Sequence, residues 1–301
     1  MDLQHLTTFR TIAILGSFSQ AADVLGYAQS TVSEHVRLLE AELQARLFKR
    51  AGNKRVELTQ EGERLLIYAQ KMSNLENQIK TEVNHPEEPH GTISIRIPET
   101  VSQYYLSSLF ARYHAKYPGI NLGLLDCVFF DLPEELQAGV VDLGFLIIDR
   151  YVTNNLATET LCPVPLVLVT YPGHPLANEP HVDLSRLKDG PLFVPSNDCS
   201  YTQTLERVLI EQKVKITRVW RFNSIAAIKK VMMNGTGFTV LPEIAVREEV
   251  EDGRLAILPW NDREVITGNL IMAWQQNKWL PPALLAFMQM TREELIAPIH
   301  V

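Results

Sequence analysis

Over the first sixty residues the apolar positions recur at helical spacing. Leu3, Leu6, Phe9, Ile12 and Ala13 share one face, and Gly16 supplies a residue that tolerates a left-handed helix stop. The hydroxyls of Ser17 and Ser19 suit the start of a second helix carrying Ala21, Ala22, Val24 and Leu25, which Gly26 ends after two turns. A third helix is predicted from about Gln29, with Val32, Val36, Leu39 and Leu43 on one face. Its other side carries Gln29, Ser30, Thr31, Ser33, Glu34, His35 and Arg37. Solvated helix faces usually fill with long charged residues. Short hydrogen-bonding residues at a helix start instead allow close approach to phosphates and base edges. Residues 47–50 and 55–59 then alternate like strands around Gly52-Asn53, a hairpin signal. Two helices joined by a glycine turn, followed by a basic hairpin with Arg50, Lys54 and Arg55, predict a winged helix-turn-helix over residues 1–58.

From residue 59 to 83 the pattern changes to a narrow stripe, Leu65, Ala69, Met72, Leu75, Ile79 and Val83, in otherwise polar sequence. Such a stripe points to a partner helix, with Leu65, Met72, Leu75 and Ile79 as dimerisation residues. The competing reading is a long helix packed on its own domain. Pro86, Pro89 and Gly91 break the pattern and predict a hinge, so residues 59–90 form a linker.

Residues 91–301 alternate strand and helix signals. Strands are predicted at 92–97, 120–125 and 143–148, with helices at 101–117 and 131–138. A second unit has strands at 166–170, 192–194 and 239–241 and helices at 202–213 and 225–233, before a strand at 266–274 and a helix at 282–295. This rhythm predicts a parallel α/β sheet whose ligands sit at the carboxyl ends of strands.

Composition narrows the function. The chain has 301 residues, more than one core usually organises, and a formal net charge of -7. Such a chain does not coat nucleic acid along its surface. Between residues 45 and 58, however, Arg46, Lys49, Arg50, Lys54 and Arg55 face only Glu57, a local excess of four positive charges that suits one duplex contact. Cys127, Cys162 and Cys199 form no CxxC pair, and neither an export signal nor a membrane-spanning run is visible, so a reduced cytoplasm and no membrane partner are expected. HExxH, P-loop and GxSxG motifs are absent. Gly235-Thr236-Gly237 begins a dinucleotide fingerprint, but Val240 stands at its third glycine, and a helix-ending turn is the simpler reading. No enzymatic activity and no cofactor are expected. The alternative is a solute-binding or enzymatic α/β protein with an appended helical domain.

The segment FSQAADVLGYAQSTVSEHVRLLEAELQARLFKR followed by LTQEGERLL resembles the N-terminal signature of the LysR-type transcriptional regulators. LQAGVVDLGF from Leu136, HPLA from His174, NGTGFTVLPE from Asn234 and EDGRLAILPW from Glu251 follow in that family's order. The resemblance implies that Gln29, Ser30, Ser33 and Arg37 face double-stranded operator DNA, and that the linker helix pairs with a second subunit in a homodimer or homotetramer. It leaves room for RNA polymerase as a partner. It further implies an effector domain of two subdomains like a type 2 periplasmic binding protein, one at about 91–163 with 267–301, the other at 164–266. Crossovers would lie near 161–165 and 265–268. A small-molecule co-inducer of unspecified identity would occupy the cleft between them, touching Thr100, Val101, Ser102, Phe129, Leu146, Ser196, Asn197, Ser200 and Thr202. Helix capping is the competing role for Thr100, Ser196 and Thr202, and the core for Phe129. Four departures stand out: Ser30 where Pro is frequent, Glu34 on the reading helix, Glu99 beside the anion seat, and the apolar run Cys127-Val128-Phe129-Phe130. Glu99 would repel a carboxylate unless paired, which favours an aromatic or amine-bearing effector. Cys199 falls where a peroxide-sensing branch keeps a reactive cysteine, but it has no neighbouring cysteine or cation and is read as inert.

Overall fold

The computed structural model describes residues 1–51, 55–84, 91–149, 151, 155–187, 190–195, 200–259 and 266–296. The chain divides into two compact units, one made of Met1–Glu87 with Ala138–Val140, the other of Glu88–Gln137 and Val141–Val301.

In the first unit, α1 (Leu3–Leu15) is capped by the Asp2 carboxylate and ended by Gly16 at φ 63°. Ser17 caps α2 (Phe18–Leu25), which Gly26 ends at φ 68°. Both glycines occupy the left-handed region that side chains disfavour, so the turns fall where the sequence places them. Then comes α3 (Gln29–Leu43), whose Val32, Val36 and Leu39 pack with Leu6, Phe9, Ile12, Ala21 and Ala22. Three expected core positions are exposed. Leu3 stands at the first residue of α1. Val24 lies on the far side of α2 from Ala22, and Leu43 lies a turn beyond Leu39, where the helix ends. The strands β1 (Phe48–Ala51) and β2 (Arg55–Leu58) pair antiparallel, Phe48 opposite Leu58.

The long helix α4 (Gln60–Asn84) starts at a tight junction: Thr59 Oγ1 donates to the Arg46 carbonyl and accepts from Gly62 N. The expected stripe divides. Leu65, Leu66, Ala69 and Met72 pack on Leu6, Phe9, Leu39 and Leu47 of their own unit. Leu75 and Ile79 stay 55% and 53% exposed. Leu65 and Met72, expected among the dimerisation residues, are thus half-buried against their own unit.

The second unit is built on a nine-stranded mixed sheet. Its strands are β3 (Gly91–Ile97), β4 (Ile120–Asp126), β5 (Leu143–Ile148), β6 (Leu156–Thr170), β7 (Leu192–Pro195), β8 (Val219–Phe222), β9 (Phe238–Pro242), β10 (Ala256–Leu258) and β11 (Ile266–Gln275). They run β4-β3-β5-β11-β6-β9-β7-β8, with β10 on β6. Each half is parallel, β4-β3-β5 and β9-β7-β8, while β6 and β11 join the halves antiparallel. Helices α5 (Ser107–Lys116), α6 (Leu132–Ala138), α7 (Ser200–Glu211), α8 (Ile225–Met233), α9 (Arg247–Glu251) and α10 (Pro282–Ile296) complete the unit.

The centre differs most from expectation. The predicted strand at 166–170 is the last third of β6, and the expected crossover at 161–165 lies inside that continuous strand. Pro163 and Pro165 read as breakers, yet they sit opposite Asn269 and Thr267 of β11 beside a register shift that skips Leu161. Proline is tolerated at such an irregularity because one ladder bond is already lost there. The short strands β8 and β10 were not expected, since neither is long enough to show alternation.

Candidate DNA interface and effector cleft

At about 100° per residue, Ser30, Glu34 and Arg37 lie roughly opposite the buried Val32–Val36–Leu39 stripe of α3, and Ser33 lies at about a right angle to it. All four are exposed, as is Gln29 at the helix start. The N-cap residue Ala28 makes no side-chain bond, so it offers the first amides of α3 no side-chain acceptor. Thr31 and His35 instead flank the buried stripe and are half-buried.

The assignment of His35 to the open reading face is a correction. Its ring lies 4.7 Å from that of His5 and 5.5 Å from that of Tyr27. The Thr8 hydroxyl donates to the Gln4 carbonyl, so the 2.9 Å contact between Thr8 Oγ1 and His35 Nδ1 has the ring as donor. Burial and the neighbouring His5 hold the His35 pKa below its ordinary value.

Glu34 and Arg37 form a two-pronged pair, with Nε–Oε2 at 2.7 Å and Nη2–Oε1 at 2.6 Å. The Arg37 hydrogen bonds lower the Glu34 pKa, so the carboxylate stays ionised. The reading face thus carries a neutralised cation. In the hairpin, Lys49 lies 3.4 Å from Glu57. Arg50 and Arg55 are placed opposite Val56 and Ala51 in the ladder, and Lys54 lies outside the described residues.

In the second unit, Thr100, Phe129 and Tyr151 each stand three residues past the end of β3, β4 and β5 respectively. Thr100 is fully buried at the start of a short π-helical turn, Val101–Tyr105, yet makes no capping bond. Its Oγ1 has no hydrogen-bond partner among the described residues. Val101 and Leu146 are as wholly buried as Thr100, Val101 within the main apolar core. Ser102 Oγ donates to the Glu99 carbonyl at 2.9 Å. Ser200 Oγ accepts from Ile147 N at 3.0 Å, joining α7 to β5, and Thr202 is half-buried on the first turn of α7. Ser196, Asn197 and Cys199 lie outside the described residues. Phe129 is half-buried, its ring 5.2 Å from Phe130 and 5.9 Å from Tyr151.

Glu99 is paired, and its partner belongs to the other half of the sheet. Its Oε2 accepts from Ile225 N at 2.9 Å, at the positive end of α8. Beside it, Lys229 of α8 donates to Tyr104 Oη at 3.1 Å, to the Ala245 carbonyl at 2.8 Å and to Glu249 Oε1 at 2.8 Å. Arg207 of α7 meets Asp149, just past β5, at 3.0 Å. These bonds draw the two halves together around the strand ends.

A family model described as the bacterial regulatory helix-turn-helix protein, lysR family, matches residues 3–63, and one described as the LysR substrate binding domain matches residues 86–296. The chain belongs to the LysR family of transcriptional regulators. This LysR regulator is 31% identical to the uncharacterised HTH-type transcriptional regulator YwqM of Bacillus subtilis, over 97% of the chain and 99% of that protein. It is 27% identical to GltR of the same organism, covering 97% of both. Among solved structures, full-length OxyR C199D from Pseudomonas aeruginosa superposes with TM-score 0.69 at 20% identity, covering 99% of this chain and 95% of that one. CbnR gives TM-score 0.67 at 18% identity over 98% and 99%. These last two likenesses show the fold.

Two features of this LysR regulator escaped the sequence reading. Tyr151 stands beyond the apolar run of β5, at a strand end where ligands collect, and that position was the available signal. Lys229 gave none, since a lysine on an amphipathic helix reads as solvated. The glycines at 235 and 237 end α8 before β9 with φ 90° and 75°, and a Cβ at Gly237 would collide with the Phe193 ring. That is a turn and a close approach, as the simpler reading held. Among the described residues no group of three or more His, Cys, Asp or Glu could hold a metal ion, and no helix is long and apolar enough to cross a membrane.

Proposed function

We propose that residues 1–58 read operator DNA through Gln29, Ser30, Ser33 and Arg37 at the start of α3, with the hairpin residues Arg50, Lys54 and Arg55 on the phosphate backbone. Residues 59–90 link this head to a sensing domain, residues 91–301, whose cleft takes a small molecule near Thr100, Phe129, Ser200 and Thr202. Ser196 and Asn197 belong to the same cleft by sequence. The exposed Leu75 and Ile79 join subunits into a homodimer or a larger homo-oligomer, so that two heads read two half-sites. CbnR, whose fold this chain shares, has been solved with its target DNA. Work on the chromosome places this protein in the cytoplasm, where an occupied operator alters transcription by contacting or obstructing RNA polymerase.

The observation that carries the reading is the α3 start: no side-chain cap, and short polar residues exposed on the face away from the core. Gel shifts on the protein's own upstream region at several salt concentrations test it. Ser33→Ala and Arg37→Ala are expected to weaken binding with folding intact, Arg37→Ala also lowering the salt slope by about one. Unchanged affinity in both would remove α3 as the reading helix.

A further inference from the structure

Two hydroxyls buried in the sensing unit, Thr100 Oγ1 and Tyr151 Oη, have no hydrogen-bond partner among the described residues. An unpaired buried hydroxyl is costly, and a group the protein leaves unpaired is one a ligand can complete. The sheet puts both just past the carboxyl ends of adjacent parallel strands, β3 and β5. The strand β3 lies between β4 and β5, so Thr100 follows the middle strand while Phe129 and Tyr151 follow its two neighbours. Strands two apart are separated by roughly 9–10 Å. The Phe129 and Tyr151 rings are nevertheless only 5.9 Å apart, so they converge across the carboxyl end of β3, where Thr100 stands.

Charge argues for a neutral ligand. Arg96 of β3 is held by Glu135, Arg207 of α7 by Asp149, and Lys229 of α8 by Glu249. The amide at the start of α8 is occupied by the protein's own Glu99. A ligand carboxylate at this place would therefore compete with four existing contacts. A ring bearing a hydroxyl or carbonyl would meet aromatic edges and two hydroxyls that both donate and accept.

We infer that Tyr151 is an effector-binding residue, and that the effector is a compact, uncharged aromatic alcohol or phenol hydrogen-bonded by Thr100 and Tyr151 with its ring against Phe129. This rests on the cleft being the effector site. Burial also pushes the Tyr151 phenol up to about 12, so it acts as a neutral hydroxyl.

The test uses the full chain and two isosteric changes, Tyr151→Phe and Thr100→Val, with Thr202→Val as a cleft control. Without any added compound, the first two variants should melt at or above the wild-type temperature, because each loses a hydroxyl that had no partner. A lower melting temperature for Tyr151→Phe would show a partner within the protein and overturn the assignment. The probes are 4-hydroxybenzyl alcohol and acetate at millimolar concentration, followed by calorimetry. The aromatic alcohol should bind the wild type, with Tyr151→Phe and Thr100→Val each weakening it about five- to tenfold, the worth of one neutral hydrogen bond. Acetate should not bind. Acetate binding that is lost in Thr202→Val, with the aromatic probe unbound, would overturn this inference and leave the cleft reading standing. An aromatic probe bound equally by all three variants would overturn both. No binding of the aromatic alcohol would overturn the proposed ligand class.

Discussion

Glu34 and His35 are adjacent on α3 and behave in opposite ways. Glu34 is exposed and holds Arg37 by two hydrogen bonds, so the cation proposed to face DNA is already partly occupied. Glu34→Gln should free it, tightening nonspecific binding and steepening the salt slope by about one phosphate contact. Gel shifts across a salt series would show this, and an unchanged slope would mean that Arg37 does not meet phosphate. His35 turns inward toward Thr8, His5 and Tyr27, with Glu34 as its ionised neighbour. Its folded pKa is lowered, first by burial, so between that value and the unfolded value of about 6.5 the unfolded chain binds more protons. Head stability should therefore be complete above about pH 6.5 and fall as pH drops through that window. Urea melts of wild type and His35→Gln at pH 5 and pH 7.5 check it: the pH-dependent loss should shrink in the variant.

Among the elements, α4 combines two jobs that its sequence shows as one stripe. It spans about 37 Å, and its first turns are fastened to the head. A Cβ at Gly62 would collide with the Leu47 carbonyl oxygen, a backbone atom that cannot step aside. Gly62→Ala should cost the head about 1–3 kcal/mol, the usual penalty of overpacking, read as a lower melting temperature. Further along, Leu75→Asp adds a charge to a half-exposed position and should dissociate the oligomer without unfolding the head. Sedimentation would decide between this and a stripe that serves only its own subunit. Met72→Asp should behave differently, lowering head stability, because Met72 already packs on its own core.

At the scale of the whole molecule, the sensing unit owes its arrangement to contacts between the halves of one continuous sheet. Lys229 links the π-helical turn of the first half, through Tyr104, to α8 and α9 of the second. Its partner Glu249 is buried, so Lys229→Met should leave a buried unpaired carboxylate and cost about 3–5 kcal/mol. The double variant Lys229→Met/Glu249→Leu should recover much of the loss in thermal melts, since removing both charges removes the orphan.

What the sequence determined by itself is what neighbours along the chain decide. Gly16 and Gly26 end helices because their conformation is local, and α8 and β5 match their predicted bounds because each carries an unbroken pattern between clear stops. The same holds for the polar start of α3. Tertiary structure alone decided matters that depend on residues distant in sequence. Pro163 and Pro165 look like an end of strand, yet pairing with β11 carries β6 straight through them. Leu65 and Leu75 look equivalent, yet only the first has Leu6, Phe9 and Leu39 to bury it. Glu99 reads as a free charge near a cleft until Ile225, 126 residues away, supplies its amide. Thr100 reads as a helix cap, and the fold instead leaves its hydroxyl buried and unpaired, because the cap geometry it needed is absent from a π-helical start. Patterns along the chain specify elements; which side chain lacks a partner is specified only when the elements meet.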